Sequence, residues 1–271
     1  MNYCCFLIFI ALQCVLSGSA FSQCNGSINI CDKKYNEVAY LTTHNAYNTD
    51  SEGFSFPNQH LGVSDQLIQG VRAFMFDVYD LLGTPTQYHG SLILGSQPLS
   101  SDLNEIKSFL DVNANEIVTL ILECNVSADQ IESELINTGL MPYVYSHLNG
   151  ATWPTLQEMI NFNKRLVVFS DVDDASPSQS WYHYVWNFAV ETHYSVTDLN
   201  DFTDNYNRGD SLNDLYIFNH FVTNAITGTG MDGESAIANE YNFLLNRIGF
   251  NNLLKGKFPN FITVDFFELG D

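Results

Sequence analysis

The stretch Gly70-Val71-Arg72-Ala73-Phe74-Met75-Phe76-Asp77-Val78-Tyr79-Asp80 reads as a strand with apolar residues on both faces, ending in carboxylates. Such a strand is covered on both sides, as in a parallel sheet layered by helices, and unlike a half-solvated antiparallel sheet. Outward from it, runs rich in β-branched and aromatic residues occupy 37–43, 71–78, 86–89, 117–123, 165–170, 215–221 and 261–267, with a weaker one over 190–196.

Segments of helical period fall between several of these runs. Leu61 to Gln69 stops at Gly70, a natural C-cap, and Ser100-Ser101-Asp102 opens a helix carrying Leu103, Ile106 and Leu110. Ser127 opens another through Ile136, Thr155 to Phe162 follows Pro154, and Glu234 to Ile248 ends at Gly249. Eight apolar strands alternating with amphipathic helices predict an α/β fold of the (β/α)8 TIM-barrel type. A doubly wound open sheet fits less well, because His44-Asn45, not a Gly-rich phosphate turn, follows the first strand. The sequence stops at Asp271, just after the last run, so the barrel is expected to be distorted or incomplete at its last helix.

Of 271 residues, 45% are hydrophobic, enough for one large core, and a single domain is expected over 23–271. Ten Lys and Arg stand against 31 Asp and Glu; the net charge of −21 repels nucleic acid and gains nothing from an anionic bilayer. Residues 3–17 form an apolar run followed by Gly18-Ser19-Ala20-Phe21-Ser22, which reads as a signal peptide over 1–22. The run is short of the ~20 residues a membrane span needs. A secreted protein, extracellular or periplasmic, is expected, without stable membrane insertion. Of six cysteines, Cys4, Cys5 and Cys14 fall in the leader; Cys24 and Cys31 suit a small disulfide loop, leaving Cys124 unpaired.

In a barrel, the strand C-termini form the active face. His44, Asn45, Asp77, His89, Glu123 and Asp265 all stand at such ends, with Ser170, Asp171, Asn219, His220 and Glu268 at comparable places. His220 by itself reads equally well as a hydrogen-bonded structural residue. Two imidazoles in one space suit phosphodiester cleavage, one taking a proton and the other giving one.

Thr43-His44-Asn45, Gly70-Val71-Arg72 through Asp77, Tyr88-His89-Gly90 and Leu122-Glu123 resemble the X-domain of phosphatidylinositol-specific phospholipase C, in order and rough spacing over 36–124. Residues 166–171, 219–221 and 264–266 resemble its later strands more weakly, and the secreted single-domain branch is the nearest in kind. The resemblance implies a distorted TIM barrel and a phosphoric diester hydrolase acting on an inositol-type phospholipid or related phosphodiester. In it, His44 would be the base, His89 the acid, and Asp265 the carboxylate that orients His44. It also implies Ca2+ held by Asn45, Asp77 and Glu123, oxygen donors that suit a hard cation. Met75 occupies another second-strand position where an acidic ligand is expected, with Asp80 and Asp171 as stand-ins. A lipid or small phosphodiester is the expected partner, and the protein is expected to be a monomer. The alternatives are a glycerophosphodiester- or sphingolipid-directed phosphodiesterase, and a non-catalytic barrel that binds inositol phosphates or glycans.

Arg72 reads as structural, paired with an acidic neighbour. Tyr79, Trp181, Tyr182, Tyr184 and Trp186 suit core packing more than a ligand pocket.

Overall fold

A computed structural model describes residues 23–270; the leader expected over 1–22 and Asp271 lie outside the described residues. The strands are β1 (Tyr40–Thr43), β2 (Ala73–Leu81), β3 (Thr84–Gln87), β4 (Gln97–Pro98), β5 (Val118–Asn125), β6 (Leu166–Ser170), β7 (Tyr182–Tyr184), β8 (Ala189–Thr192), β9 (Tyr206–Gly209), β10 (Leu215–Asn219) and β11 (Phe261–Val264). The helices are α1 (Val63–Ile68), α2 (Leu99–Val112), α3 (Ala128–Asn137), α4 (Leu156–Asn161), α5 (Asp232–Ala238) and α6 (Tyr241–Lys255).

Eight strands are mutually parallel in the order β7-β6-β5-β2-β1-β11-β10-β8. Eight is the expected number, but the membership differs. The run at 86–89 is not a barrel strand: β3 turns back antiparallel on β2, with Val78 opposite Gln87. Its place among the eight is taken by β7, whose Tyr-His-Tyr sequence carries no run of aliphatic residues. β9 is a second antiparallel addition, on β8. There Gly209 (φ +80) has no room for a side chain, since a Cβ would collide with the Ala189 carbonyl oxygen.

The barrel is open at one seam. Among the described residues, β7 and β8 do not pair, and residues 185–188 alone join them. Two parallel strands need a crossover of about a dozen residues or more to lie side by side; four cannot provide it. The crossovers β6 to β7 and β8 to β10 also lack α-helices, so the outer ring is thinner there than a full (β/α)8 barrel requires.

The core divides by strand face. Outward residues such as Phe74, Phe76, Leu120 and Leu122 pack against α1, α2 and α3. Inward residues such as Ile121, Phe169, Ile217 and Phe261 fill the barrel with Tyr35 and Trp153. Tyr35 stacks on Trp153 (centroids 4.8 Å apart) and shares a hydrogen bond of 2.6 Å with Thr119 Oγ1. The expected Cys24–Cys31 disulfide is formed, with Cα atoms 5.2 Å apart, and Cys124 is a buried free thiol. Arg72 is structural: Nε donates to Glu116 Oε2 at 2.8 Å and Nη1 to two backbone carbonyls.

The helix expected from Glu234 to Ile248 is two helices, broken at Asn239-Glu240. α6 runs through Gly249 and stops at Gly256, in the left-handed region (φ +63). The break frees Asn239, whose Nδ2 donates to the carbonyls of Asp265 and Phe266, tying α5 to the end of β11.

Candidate active site

Strand register makes the first pair. Thr43 of β1 is level with Val264 of β11, so the next residues, His44 and Asp265, leave the sheet side by side. His44 Nδ1 lies 3.0 Å from Asp265 Oδ1. The chain then turns sharply, with Asn45 (φ +45) and Phe266 (φ +44) both left-handed. Asn tolerates this conformation, whereas for Phe it carries strain of order 1–3 kcal/mol. The His44 ring stacks on Phe221, centroids 3.9 Å apart.

Register also sets the second group. Asp77 of β2 faces Glu123 of β5. The β2–β3 hairpin folds back so that His89, just beyond β3, returns over the end of β2. His89 Nδ1 lies 3.1 Å from Asp77 Oδ2, which also accepts from the Tyr47 hydroxyl at 3.1 Å. The bond to Asp77 pushes His89 above the usual imidazole range, against the opposing effect of burial. His89 Nε2 lies 3.1 Å from the Gly228 carbonyl oxygen. This approach is close: a Cβ on Gly228 (φ +72) would sit 3.1 Å from that nitrogen.

Between the two groups runs a chain of carboxamides. Asn45 Nδ2 lies 3.3 Å from His89 Nδ1 and donates to Asn58 Oδ1 at 3.3 Å. Asn58 Nδ2 donates to both oxygens of Asp265, at 3.1 Å each.

The pairs border a solvent-open cavity of about 550 Å³. Its lining includes the acidic and polar His44, Asn45, Asp77, Glu123 and Asp171, together with Met75, Trp186, Tyr194, Arg208 and Phe221. His89 stands behind this lining, attached through Asp77 and Asn45. Partial burial, then the nearby Asp77 and Asp171, push Glu123 upward. Burial likewise raises Asp171, whose Oδ1 accepts from the Cys124 amide at 2.8 Å. Arg208 is held by the buried Glu191 and lies over the rings of Trp186 (4.4 Å) and Tyr194 (4.6 Å). Burial works against its charge, but the Glu191 carboxylate outweighs that and raises it.

Of the six residues singled out at the strand ends, His44, Asn45, Asp77 and Glu123 thus line one space, and Asp265 and His89 are bonded behind it to His44 and Asp77. Others do not join them. Ser170 is buried and accepts from the Tyr182 hydroxyl. His220 is structural: burial, with Arg247 beside it, lowers it to about 3. Glu268 pairs with His60. Asp80 is turned away, bonded to Gln130 and the Gly83 amide. Trp181 and Tyr182 are core, whereas Trp186 does line the cavity. Asn58, Gly228, Glu191 and Arg208 escape sequence reasoning. Only Arg208 left a signal, as one of ten basic residues in a strongly acidic chain.

The acidic residues of the lining and Asn45 are oxygen donors of the type a hard cation takes. Asp171 stands where it can make up for Met75, since both line this cavity. The carboxylates are spread along the lining; among the described residues no three of them here come within 4.8 Å of one another.

The family model described as PI-PLC X 1 matches residues 30–271. A PI-PLC X domain-containing protein of Arabidopsis thaliana is 29% identical over 259 residues, covering 88% of this chain and 59% of the relative. An uncharacterized secreted protein of Arthroderma benhamiae is 27% identical over 274 residues, covering 92% of this chain and 61% of the relative. This chain therefore spans about three-fifths of the length of those two relatives. Among solved structures, the phosphatidylinositol-specific phospholipase C from Listeria monocytogenes matches with a TM-score of 0.57 at 17% identity, covering 87% of this chain and 90% of that one. That likeness is one of fold.

Proposed function

Since this chain belongs to the PI-PLC X family, we propose that it is a phospholipase C-like phosphodiesterase, cleaving an inositol-type phospholipid or related phosphodiester by two-histidine acid–base catalysis. The observation that carries this reading is the pairing of each histidine with its own carboxylate beside one cavity: His44 with Asp265 and His89 with Asp77.

With Nδ1–H of His44 held by Asp265, its Nε2 is left as a base. It takes the proton of a substrate hydroxyl neighbouring the phosphate. That oxygen bonds to phosphorus, the bond from phosphorus to the departing alcohol breaks, and the product is a cyclic phosphodiester. His89, whose protonated form the bond to Asp77 favours, gives its Nε2 proton to the leaving oxygen. The Gly228 carbonyl now accepts that hydrogen bond, so substrate binding exchanges one acceptor for another.

Asn45, Asp77 and Glu123, with Asp171, would hold Ca2+, which when bound would offset negative charge on the phosphate. Arg208 supplies a fixed positive charge in the same lining, oriented by Glu191 and the two rings.

A lipid substrate is supported by the rim. Residues 81–98 and 221–231 contain no Asp, Glu, Lys or Arg, although the chain has 41 such residues. They expose Ile93 (90%) and Ile226 (95%). Phe56, also exposed, lies on a loop joined to the first of these by a backbone bond from the Ser55 amide to Leu94. An apolar, uncharged rim suits a neutral or zwitterionic surface. Secretion is supported by the Cys24–Cys31 disulfide and by the secreted fungal relative.

Phosphorus NMR of a substrate panel tests the reading: phosphatidylinositol, a glycosylphosphatidylinositol anchor, lysolipids and glycerophosphodiesters, with and without chelator. A cyclic phosphate from an inositol-containing member is the expected product. Ligand binding by calorimetry with no turnover of any member would overturn it in favour of a binding barrel.

A further inference from the structure

We propose that Asn58 is a positioning residue that sets the His44–Asp265 pair. The inference rests on the phosphodiesterase reading for its kinetic consequence, and on geometry alone for its structural one.

Asn58 belongs to the β1–α1 loop and is fully buried. Its two ends face chemically opposite surroundings. Nδ2 meets a carboxylate, donating to Asp265 Oδ1 and Oδ2 at 3.1 Å each. Oδ1 meets only amide donors, accepting from Asn48 Nδ2 at 2.7 Å and Asn45 Nδ2 at 3.3 Å. A carboxylate cannot donate and an amide nitrogen cannot accept, so one orientation of the side chain satisfies the carboxylate and both carboxamides, with His44 Nδ1 3.4 Å from Nδ2.

The backbone secures the same place. The Asn58 amide donates to the Asn48 carbonyl at 2.8 Å, and the Asn58 carbonyl accepts from the Phe266 amide at 2.9 Å. One residue is thus bonded to both sides of Asp265: to its side chain and to the backbone of the residue that follows it. Two consequences follow. Asp265 is held in place where it is buried, with His44 Nδ1 on one oxygen. And Asn45 is fixed with it, its Nδ2 donating to Asn58 Oδ1.

The test compares Asn58→Leu, close in volume but without hydrogen-bonding groups, with Asn48→Ala, which removes the 2.7 Å bond that steadies Asn58 together with a longer one, 3.3 Å, to the Phe56 carbonyl. Three quantities are measured: fold by circular dichroism, the downfield Nδ1 proton of His44 by NMR, and kcat and KM on the panel member that the wild type cleaves best. In Asn58→Leu, the His44 proton should move upfield or broaden away, and kcat should fall about 10- to 100-fold with KM little changed, as for outer-shell partners of a reactive group. Asn48→Ala should keep the fold, shift the same proton less, and lower kcat about five-fold. A folded Asn58→Leu with the wild-type proton and wild-type kcat overturns the inference. If that variant fails to fold, Asn48→Ala decides, and an unmoved proton with unchanged kcat overturns it. The proton requires no substrate: should the wild type cleave nothing in the panel, a proton shift in the variants upholds the positioning role while the phosphodiesterase reading falls.

Discussion

His44 and Asp265 are 221 residues apart in sequence, yet their side chains meet at 3.0 Å because each is the first residue beyond one of two paired strands. Parallel register alone aligns the imidazole with its carboxylate. His44→Ala and His89→Ala should therefore each lower turnover by about 10²- to 10⁴-fold without loss of fold, the usual worth of a general acid or base. Asp265→Asn should also lower it by holding His44 in the wrong tautomer. Phosphorus NMR of product together with circular dichroism checks all three. Near wild-type turnover in either alanine variant would exclude the two-histidine mechanism.

Chelation bears on the acidic lining. Turnover should fall on adding a chelator and return with Ca2+, and Glu123→Gln should raise the Ca2+ concentration needed for half-maximal activity. Calcium titration of the activity and, independently, of the protein by calorimetry are the measurements. Full turnover in chelator would leave charge compensation to Arg208, and Arg208→Gln would then be the damaging change.

The rim makes a prediction about surfaces. Replacing Ile93 and Ile226 by Ser should reduce turnover of substrate presented in zwitterionic vesicles by at least about 10-fold, since each buried Ile contributes about 1.5–3 kcal/mol. Turnover of a short-chain soluble substrate should stay unchanged. A parallel loss on both substrates would assign these residues to folding instead.

His60 gives the fold a pH dependence. Its Nδ1 bonds Glu268 and its Nε2 lies 3.4 Å from Asp232, linking the chain end beyond β11 to the start of α5. Burial opposes protonation, but the two carboxylates outweigh it and raise His60 above its ordinary 6.5. A raised imidazole contributes stability that is complete below about pH 6.5 and is lost as pH climbs through the higher folded value. His60→Gln should accordingly lower Tm most below pH 6, with the difference from wild type shrinking toward pH 8–9. A difference constant across pH 5–9 would refute the ion-pair origin.

The Cys24–Cys31 bridge closes a loop with a sequence separation of seven. By loop entropy such a bridge stabilises by roughly 2.5 kcal/mol. Cys24→Ser with Cys31→Ser should lower the unfolding free energy by about that amount in denaturant titrations, leaving turnover intact at low temperature.

Most of the barrel was legible in sequence because fully buried parallel strands read as unbroken apolar runs. The errors have physical causes. Residues 86–89 look like another barrel strand, but Leu82-Gly83 is a two-residue connection, which only an antiparallel hairpin can use. β7 was hidden because three aromatic and imidazole side chains carry no periodic signal. The site residues at strand ends were readable since a strand end is a sequence feature. Asn58, Gly228 and Arg208 were not, because loop geometry and an antiparallel strand bring them in, and neither leaves a pattern in composition or spacing.

The unsealed seam between β7 and β8 has one further meaning. Around the rest of the barrel, cavity width is dictated by main-chain ladders that cannot change without shifting a register. At residues 185–188 it is dictated by Val185 and Trp186, which line the cavity there. Here single side-chain exchanges can widen or narrow the cavity with every strand left where it is.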